Sequence, residues 1–238
     1  MITTSGIYKD ILTASQAGEA QAAVLIDPEK FTVETTGNFL AELPHWITHI
    51  FIGGSSDSNY KTQLTVRCVK AISKLPVILF PGDHSQITDL ADGLLFLNLV
   101  SGRNPEYLIN QQVKAAEKLH YTSLEIIPTG YILIDGGKES AVERVSKTKA
   151  ISQDKISFIV NTALAAQFMG NHLIYLEAGS GALNPVSPEI IKAVKDVVTI
   201  PLVVGGGIRT KEQQRAALHA GADLLVIGTA FEDGFVAR

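Results

Sequence analysis

The sequence predicts an α/β fold, a single (β/α)8 TIM barrel that spans residues 1–238. Its 238 residues are close to the length of about 250 that is typical of this fold. Short β-branched apolar runs alternate with segments of helical periodicity, which is typical of parallel βα units. The apolar runs are nearly continuous, as expected for strands that are covered on both faces. Because the chain stops soon after the eighth run, at Arg238, an open doubly wound sheet with a short or truncated last helix is the alternative.

The order of these segments predicts eight strands and the helices between them. The strands are expected over Ala23–Ile26, His49–Gly53, Val77–Phe80, Gly93–Leu99, Leu124–Pro128, Leu173–Leu176, Leu202–Val204 and Leu224–Ile227. Helices are expected over Thr35–Leu43, Lys61–Ser73, Pro105–Leu119, Pro188–Val194 and Lys211–Ala220. The run Ile126–Asp135 contains a proline and a glycine, so the fifth strand is expected to end at Pro128 in a structured loop.

Composition excludes several classes of protein. A net charge of −4 and a pI of about 5.9 argue against a nucleic-acid-binding protein. With 46% apolar and 18% charged residues, the chain is not expected to be disordered. The apolar stretch Ile156–Leu176 is interrupted by polar residues and is too polar to span a membrane. A single cysteine, Cys68, and the lack of a signal pattern in Met1–Gln21 favour the cytoplasm.

Glycine and polar residues come directly after nearly every predicted strand, at the end where barrels of this kind carry their active sites. Gly205–Gly207 come after strand seven and Gly228-Thr229 after strand eight, the two positions at which many barrels bind a phosphate. Gly179-Ser180-Gly181 could supply further donors from strand six. These segments predict a phosphate site, and the alternative is that the glycines serve only tight turns.

Two carboxylates stand at strand ends. Asp27 comes after strand one, and together with Ser55 or Ser56 after strand two it forms a set of hard oxygen ligands that suits Mg²⁺. Asp27 could equally cap a helix or order the Asp-Pro turn. Glu177 comes after strand six beside the predicted phosphate site and is the candidate general base, the alternative being a hydrogen bond inside the barrel.

Six segments resemble the geranylgeranylglyceryl phosphate synthases and the related bacterial heptaprenylglyceryl phosphate synthases. They run from the first strand to the eighth, so the resemblance covers nearly the whole chain, and the stretch from Tyr175 to Gly181 is the most specific. The segments are Leu25–Lys30, Phe51–Ser55, Ile78–Gly82, Tyr175–Gly181, Val204–Arg209 and Ile227–Thr229. The added stretch Ile127–Tyr131 is similar to the second, larger subgroup of that family.

The resemblance implies a Mg²⁺-dependent prenyltransferase that joins an allylic prenyl diphosphate, geranylgeranyl diphosphate, to the 3-hydroxyl of sn-glycerol 1-phosphate. By position, Asp27 and Ser55 would hold Mg²⁺. The residues that would hold glycerol phosphate are Tyr175, Leu176, Glu177, Ala178, Gly179, Ser180, Gly181, Gly206, Gly207, Gly228 and Thr229. Some relatives have a lysine where this chain has Leu25, so a cationic contact to the substrate is either missing or supplied by Lys30.

A prenyl substrate also implies an apolar groove and a set of partners, and other functions remain as alternatives. Leu94–Leu99 and the Ile126–Ile134 region have the composition of a prenyl groove, which core packing explains equally well. A lipid product implies transient contact with a membrane surface, and exposed helical faces favour a homo-oligomer. The rivals are another phosphate-binding barrel enzyme, such as an isomerase or a flavin-dependent oxidoreductase, and a barrel that binds a phosphorylated ligand without catalysis.

Overall fold

Eight parallel strands close into a barrel in a computed structural model that describes residues 6–32, 40, 43–54 and 59–228. The strands are β1 (Gln21–Ile26), β2 (His49–Ile52), β3 (Val77–Leu79), β4 (Gly93–Leu99), β5 (Glu125–Leu133), β6 (Leu173–Glu177), β7 (Leu202–Gly205) and β8 (Leu224–Ile227). The first and last strands share a ladder that runs from Gln21 opposite Leu224 to Val24 opposite Ile227. This ladder confirms the predicted barrel and excludes the open doubly wound sheet.

The fifth strand is longer than predicted, because it continues through Pro128 and Gly130 to Leu133. The expected loop after Pro128 is therefore wrong. The carbonyl of Pro128 faces the β6 side, where it accepts a hydrogen bond from the His172 N–H at 2.7 Å. The nitrogen of Pro128, which carries no hydrogen, faces the same side. Pairing of β5 with β6 begins only at the next residue, Thr129 opposite Leu173, so the proline costs no hydrogen bond of the ladder.

Helices cover the outside of the barrel, and four of the five predicted ones lie within the described residues. The helices are α1 (Ile7–Ala17), α2 (Asn59–Ile72), α3 (Gln111–His120), α4 (Ala141–Ser146), α5 (Ile156–Phe168), α6 (Pro188–Lys195) and α7 (Lys211–His219). A π-helical turn (Glu106–Asn110) leads into α3, and a 3₁₀ turn (His84–Gln86) comes after β3. The predicted helix Thr35–Leu43 falls on residues 33–39 and 41–42, outside the described residues.

The core has two shells, which result from the alternation of side chains along each strand. Residues such as Phe51, Ile78 and Leu95 fill the barrel, while their neighbours pack outward against the helices. Helix α1 closes the N-terminal end of the barrel with Ile7 and Ile11, so a ligand site is left at the opposite end. Among the described helices, none is long and apolar enough to cross a bilayer.

Candidate functional site

A cavity of about 520 Å³ opens at the carboxyl ends of the strands. Its mouth is formed by residues that come after six different strands: Asp27, Gly54, Asp83, Gly179, Gly207 and Gly228. From there the cavity extends between β4 and α3, where it is lined by Leu94, Phe96 and Ala115. The site therefore lies at the end of the barrel that the sequence predicted.

Glu177 is the buried carboxylate at the centre of this mouth. It is the last residue of β6, lines the cavity and is only 6% exposed. Burial raises its pKa from 4.5 to about 7, because the charged carboxylate loses hydration that the protein replaces only in part. The N–H of Gly179 donates to Glu177 Oε1 at 2.6 Å and fixes that oxygen. A carboxylate with a pKa near neutrality can accept a proton from a substrate hydroxyl at physiological pH.

The glycines at the end of β7 and directly after it let the backbone approach this carboxylate closely. A Cβ at Gly205 would lie 2.8 Å from Glu177 Oε2, and a Cβ at Gly206 would overlap Glu177 Oε1. Gly206 and Gly207 also have φ values of 82° and 73°, a region that side-chain-bearing residues rarely adopt. No larger residue fits at Gly206, so the predicted glycine element shapes the site and is not merely a turn.

The hydroxyl of Tyr175 is a buried polar group that lies beside Glu177 without a well-formed hydrogen bond. The ring lines the cavity and stacks on Phe80, with ring centroids 5.3 Å apart, and no described group satisfies hydrogen-bond geometry with its hydroxyl. Burial and the nearby Glu177 charge raise its pKa well above 10, so it stays protonated. A buried, unsatisfied hydroxyl costs about 1–3 kcal/mol, which a polar atom of a ligand would recover.

The loop between β5 and α4 packs directly on the glycine loop after β6. The Gly136 carbonyl accepts the N–H groups of Leu183 and Asn184, at 2.8 and 3.0 Å. Lys138 Nζ lies 3.0 Å from the position that a Cβ of Gly181 would occupy, and Lys138 lines the cavity. Sequence reasoning missed this wall of the site. The available signal was the capping box Ser140-x-x-Glu143, which starts α4.

Asp27 lies at the mouth beside the loop after β2. Its Oδ1 accepts the Glu29 N–H at 3.0 Å, and the backbone of Gly54 approaches so closely that a Cβ there would lie 3.0 Å from Oδ1. Among the described residues, Asp27 Oδ2 has no hydrogen-bond partner. The Asp-Pro turn expected as one alternative is thus formed, while one carboxylate oxygen stays available to a ligand.

The structure brings most of the predicted site residues together. The cavity is lined by Asp27, Tyr175, Glu177, Gly179, Ser180, Gly181, Gly206, Gly207 and Gly228. The side chains of Leu176 and Ala178 pack in the outer core instead, because they alternate with the inward-facing Tyr175 and Glu177. Ser55, Ser56 and Thr229 lie outside the described residues.

Several residues whose role the sequence did not decide now divide into those that line the cavity and those that lie in the core. Leu94, Leu95, Phe96, Leu97 and Leu99 all line the cavity, whereas most of the Ile126–Ile134 stretch is core. Leu25 and Lys30 both line the cavity. Tyr131 meets Tyr175 edge to face at 5.3 Å and so supports the ring whose hydroxyl is free.

Comparisons with known proteins identify the family of the chain and solved structures that share its fold. The model of the PcrB family matches residues 16–237. The geranylgeranylglyceryl phosphate synthase of Zunongwangia profunda is 58% identical over 96% of this chain and 97% of its own length. That of Thermococcus gammatolerans is 43% identical over 88% of this chain and 83% of its own. The crystal structure of (S)-3-O-geranylgeranylglyceryl phosphate synthase from Thermoplasma acidophilum, in complex with sn-glycerol-1-phosphate, is 35% identical, with a TM-score of 0.89 and coverage of 96% of this chain and 92% of that one.

Proposed function

The chain belongs to the PcrB family, and on that premise we propose that it is a prenyltransferase that joins a geranylgeranyl group to the 3-hydroxyl of sn-glycerol 1-phosphate. The observation that carries this proposal is a carboxylate of raised pKa, Glu177, held between a glycine loop and the mouth of an apolar cavity. Such a site takes a small phosphorylated alcohol at one end and a hydrocarbon at the other. The product is the prenyl ether of a phospholipid precursor.

The glycine loops after β6, β7 and β8 support binding of the phosphate. Gly179, Gly181, Gly206 and Gly207 all have positive φ and all line the cavity, so no side chain at these positions stands in the way of an anion. Ser180 adds a hydroxyl at the same edge of the cavity, and Lys138 adds a positive charge. The Tyr175 hydroxyl lies beside Glu177 and makes no hydrogen bond of good geometry with the described residues, so it is available to an oxygen of the glycerol.

The limb between β4 and α3 supports binding of the donor. Its walls are Ile87, Leu94, Phe96 and Ala115, and a prenyl chain that lies there leaves its allylic carbon at the mouth. When the glycerol oxygen attacks that carbon, the C–O bond to diphosphate breaks and the diphosphate leaves with the bonding electrons. The hydroxyl proton passes to Glu177, whose pKa of about 7 allows it to be ionised before the step. Holding the two substrates at adjoining ends of one cavity supplies the proximity.

We propose Mg²⁺ as the cofactor, with Asp27 as a ligand and Ser55, outside the described residues, as the second. The fit rests on the free Oδ2 of Asp27 and on its place at the mouth. Within the described part of the chain, no three acidic, histidine or cysteine side chains gather around one point. A single carboxylate and a hydroxyl suit Mg²⁺, which is commonly held by one or two carboxylates, water and substrate phosphates. When bound, Mg²⁺ neutralises the charge that develops on the diphosphate.

We also propose that the protein is a cytoplasmic homo-oligomer that contacts membranes transiently. Helix α5 supports oligomerisation, because it carries no charged residue and yet leaves Phe158 and Phe168 exposed. A single free cysteine supports a reducing compartment. Elution as a monomer in gel filtration would contradict the oligomer.

The test is pyrophosphate release from geranylgeranyl diphosphate and sn-glycerol 1-phosphate, with and without Mg²⁺, by the native chain and by Asp27→Asn. Turnover that requires the metal, the glycerol phosphate and Asp27 supports both the reaction and the metal site. Full activity of Asp27→Asn would contradict the metal assignment alone. The absence of turnover with donors of 15 to 35 carbons would contradict prenyl transfer and leave a phosphate-binding barrel.

A further inference from the structure

A second pocket lies on the rim of the barrel mouth and is strongly basic. It is lined by Ser101, Gly102, Arg103, Asn104, Lys147, Thr148 and Lys149, and its volume is about 490 Å³. We refer to it as the rim pocket. It belongs to the loop after β4 and the segment after α4, and the main cavity reaches Ser146, the residue before Lys147. The reaction proposed above makes no use of it.

The local backbone holds the two lysines outward and places Arg103 beside them. Lys147 has a φ of 53°, the sole positive φ of a non-glycine residue among those described, and this turn ends α4. After the turn Thr148 is buried, so Lys147 and Lys149 on either side of it are exposed. Asn104 Nδ2 donates to the Ser146 carbonyl at 2.8 Å and joins the two loops, which places Arg103 next to the lysines.

Two carboxylates on the same chain segments make their contacts with groups other than the three cations. Glu106 is bound by Lys114, Asn110 and Gln111. Glu143 accepts the N–H groups of Ser140 and Ala150. Among the described residues, neither the two lysines nor Arg103 forms an ion pair, although Arg103 donates to two backbone carbonyls. A cluster of three unpaired cations on a chain of net charge −4 indicates an anionic partner.

Exposed apolar side chains lie on the two chain segments that neighbour the rim pocket. Val145, two residues before Lys147, is 46% exposed, and its carbonyl accepts the Tyr107 hydroxyl at 3.4 Å. Ile109 and Val113 are 55% and 65% exposed and lie one turn apart on the same side of the segment that leads into α3. That segment also forms the outer wall of the apolar limb of the cavity. Cations beside exposed aliphatic side chains are the combination that binds the interface of an anionic bilayer.

We propose that this face docks on an anionic lipid bilayer, with lipid phosphates at the rim pocket and Ile109, Val113 and Val145 at the level of the headgroups. The proposal rests on the proposed function, because the prenyl donor and the ether product are both amphiphiles that reside in membranes. Docked in this way, the barrel turns its mouth and the apolar limb toward the lipid. A donor would then enter, and a product would leave, without crossing water.

The test is co-sedimentation of the whole chain with vesicles of phosphatidylcholine alone and of phosphatidylcholine with phosphatidylglycerol. The rim variant is Lys147→Gln with Lys149→Gln. Its matched control is Lys9→Gln with Lys74→Gln, which removes the same charge from exposed lysines near the closed end of the barrel. We expect the native chain to prefer the anionic vesicles and the rim variant to bind them about 30-fold more weakly, since each basic residue at a surface adds about a factor of five. The control should bind like the native chain.

Three results would overturn the proposal: no binding of the native chain to anionic vesicles, equal binding to both kinds of vesicle, or equal weakening by the rim variant and the control. The variant Ile109→Ser with Val113→Ser provides a second measurement, because it removes apolar area without changing charge, and it too should weaken binding. Turnover of detergent-dispersed donor by the native chain is measured in parallel. Vesicle binding without turnover contradicts the proposed function and leaves the docking surface standing. Turnover without vesicle binding contradicts the docking surface and leaves the proposed function standing.

Discussion

Replacing Glu177 by glutamine tests the site most directly, because the change removes a charge and keeps the shape. The amide oxygen of glutamine can still accept the Gly179 N–H that Glu177 Oε1 accepts at 2.6 Å. The substitution removes the group whose pKa burial raises from 4.5 to about 7. The variant should therefore fold, and it should differ from the native chain in two ways that depend on pH.

The first difference is in stability. A pKa higher in the folded than in the unfolded chain means that folding favours the protonated carboxyl. The contribution of the protonated Glu177 to the free energy of unfolding is complete below pH 4.5 and is lost as the pH rises to about 7. A displacement from 4.5 to about 7 amounts to about 3 kcal/mol. The free energy of unfolding of Glu177→Gln, minus that of the native chain, should thus rise by about 3 kcal/mol between pH 4.5 and pH 8, as urea titrations would measure.

The second difference is in catalysis. For the native chain, kcat/KM should increase with pH up to about 7, as Glu177 ionises and becomes able to accept the glycerol proton. The glutamine variant should lose about 10²- to 10⁴-fold in kcat and this pH dependence with it. Glu139→Gln is the matched control, since that carboxylate lines the same cavity and is exposed to solvent. Unfolding free energies that stay parallel from pH 4.5 to 8, or near-native turnover by the glutamine variant, would refute the assignment.

Three further substitutions probe the neighbouring groups. Tyr175→Phe removes a buried hydroxyl that makes no hydrogen bond of good geometry with the described residues. The temperature of thermal unfolding should therefore be unchanged or slightly higher, while KM for glycerol phosphate rises about tenfold. A loss of stability would show that the hydroxyl is satisfied in the free protein, with Glu177 as the neighbouring acceptor. Gly206→Ala should lower the free energy of unfolding by more than about 2 kcal/mol and abolish phosphate binding in calorimetry, because the new Cβ overlaps Glu177. The control is Gly170→Ala, which is also at positive φ but in open space and should lower the free energy of unfolding by about 1 kcal/mol. Lys138→Met should raise KM for glycerol phosphate by up to about fivefold and leave kcat unchanged, with Lys138→Arg restoring it; an equal change in kcat would point to a structural role.

The predicted fold was confirmed because strand patterns are local. Buried parallel strands are apolar throughout, and helices such as Pro188–Lys195 carry their own caps and periodicity, so both can be recognised within a few residues. Helix α5 escaped prediction for the opposite reason, since its lack of charged residues hides the 3.6-residue period. The end of β5 was misplaced because whether a proline breaks a strand depends on which neighbour its missing N–H would face.

Some residues of the candidate site could likewise be identified from the sequence, and others could not. Glu177 and the glycine elements could be identified because active-site residues of a barrel come directly after its strands, and strict alternation along β6 would also have shown that Leu176 faces outward. The orphan hydroxyl of Tyr175 could not be identified, because hydrogen bonding depends on contacts from other strands. Lys138 could not be placed either, since it reaches the site through packing between two loops that are remote from each other in the chain.

By itself the sequence determined the class of fold, the end of the barrel that carries the site and the kinds of residue available there, because these depend on local periodicity and on the residues directly after each strand. Tertiary structure decided the closure of β1 on β8, the raised pKa of Glu177, the free hydroxyl of Tyr175 and the rim pocket. Each of these depends on the distance between residues that are remote in the chain and on the water excluded between them. Neither quantity is encoded in any short segment.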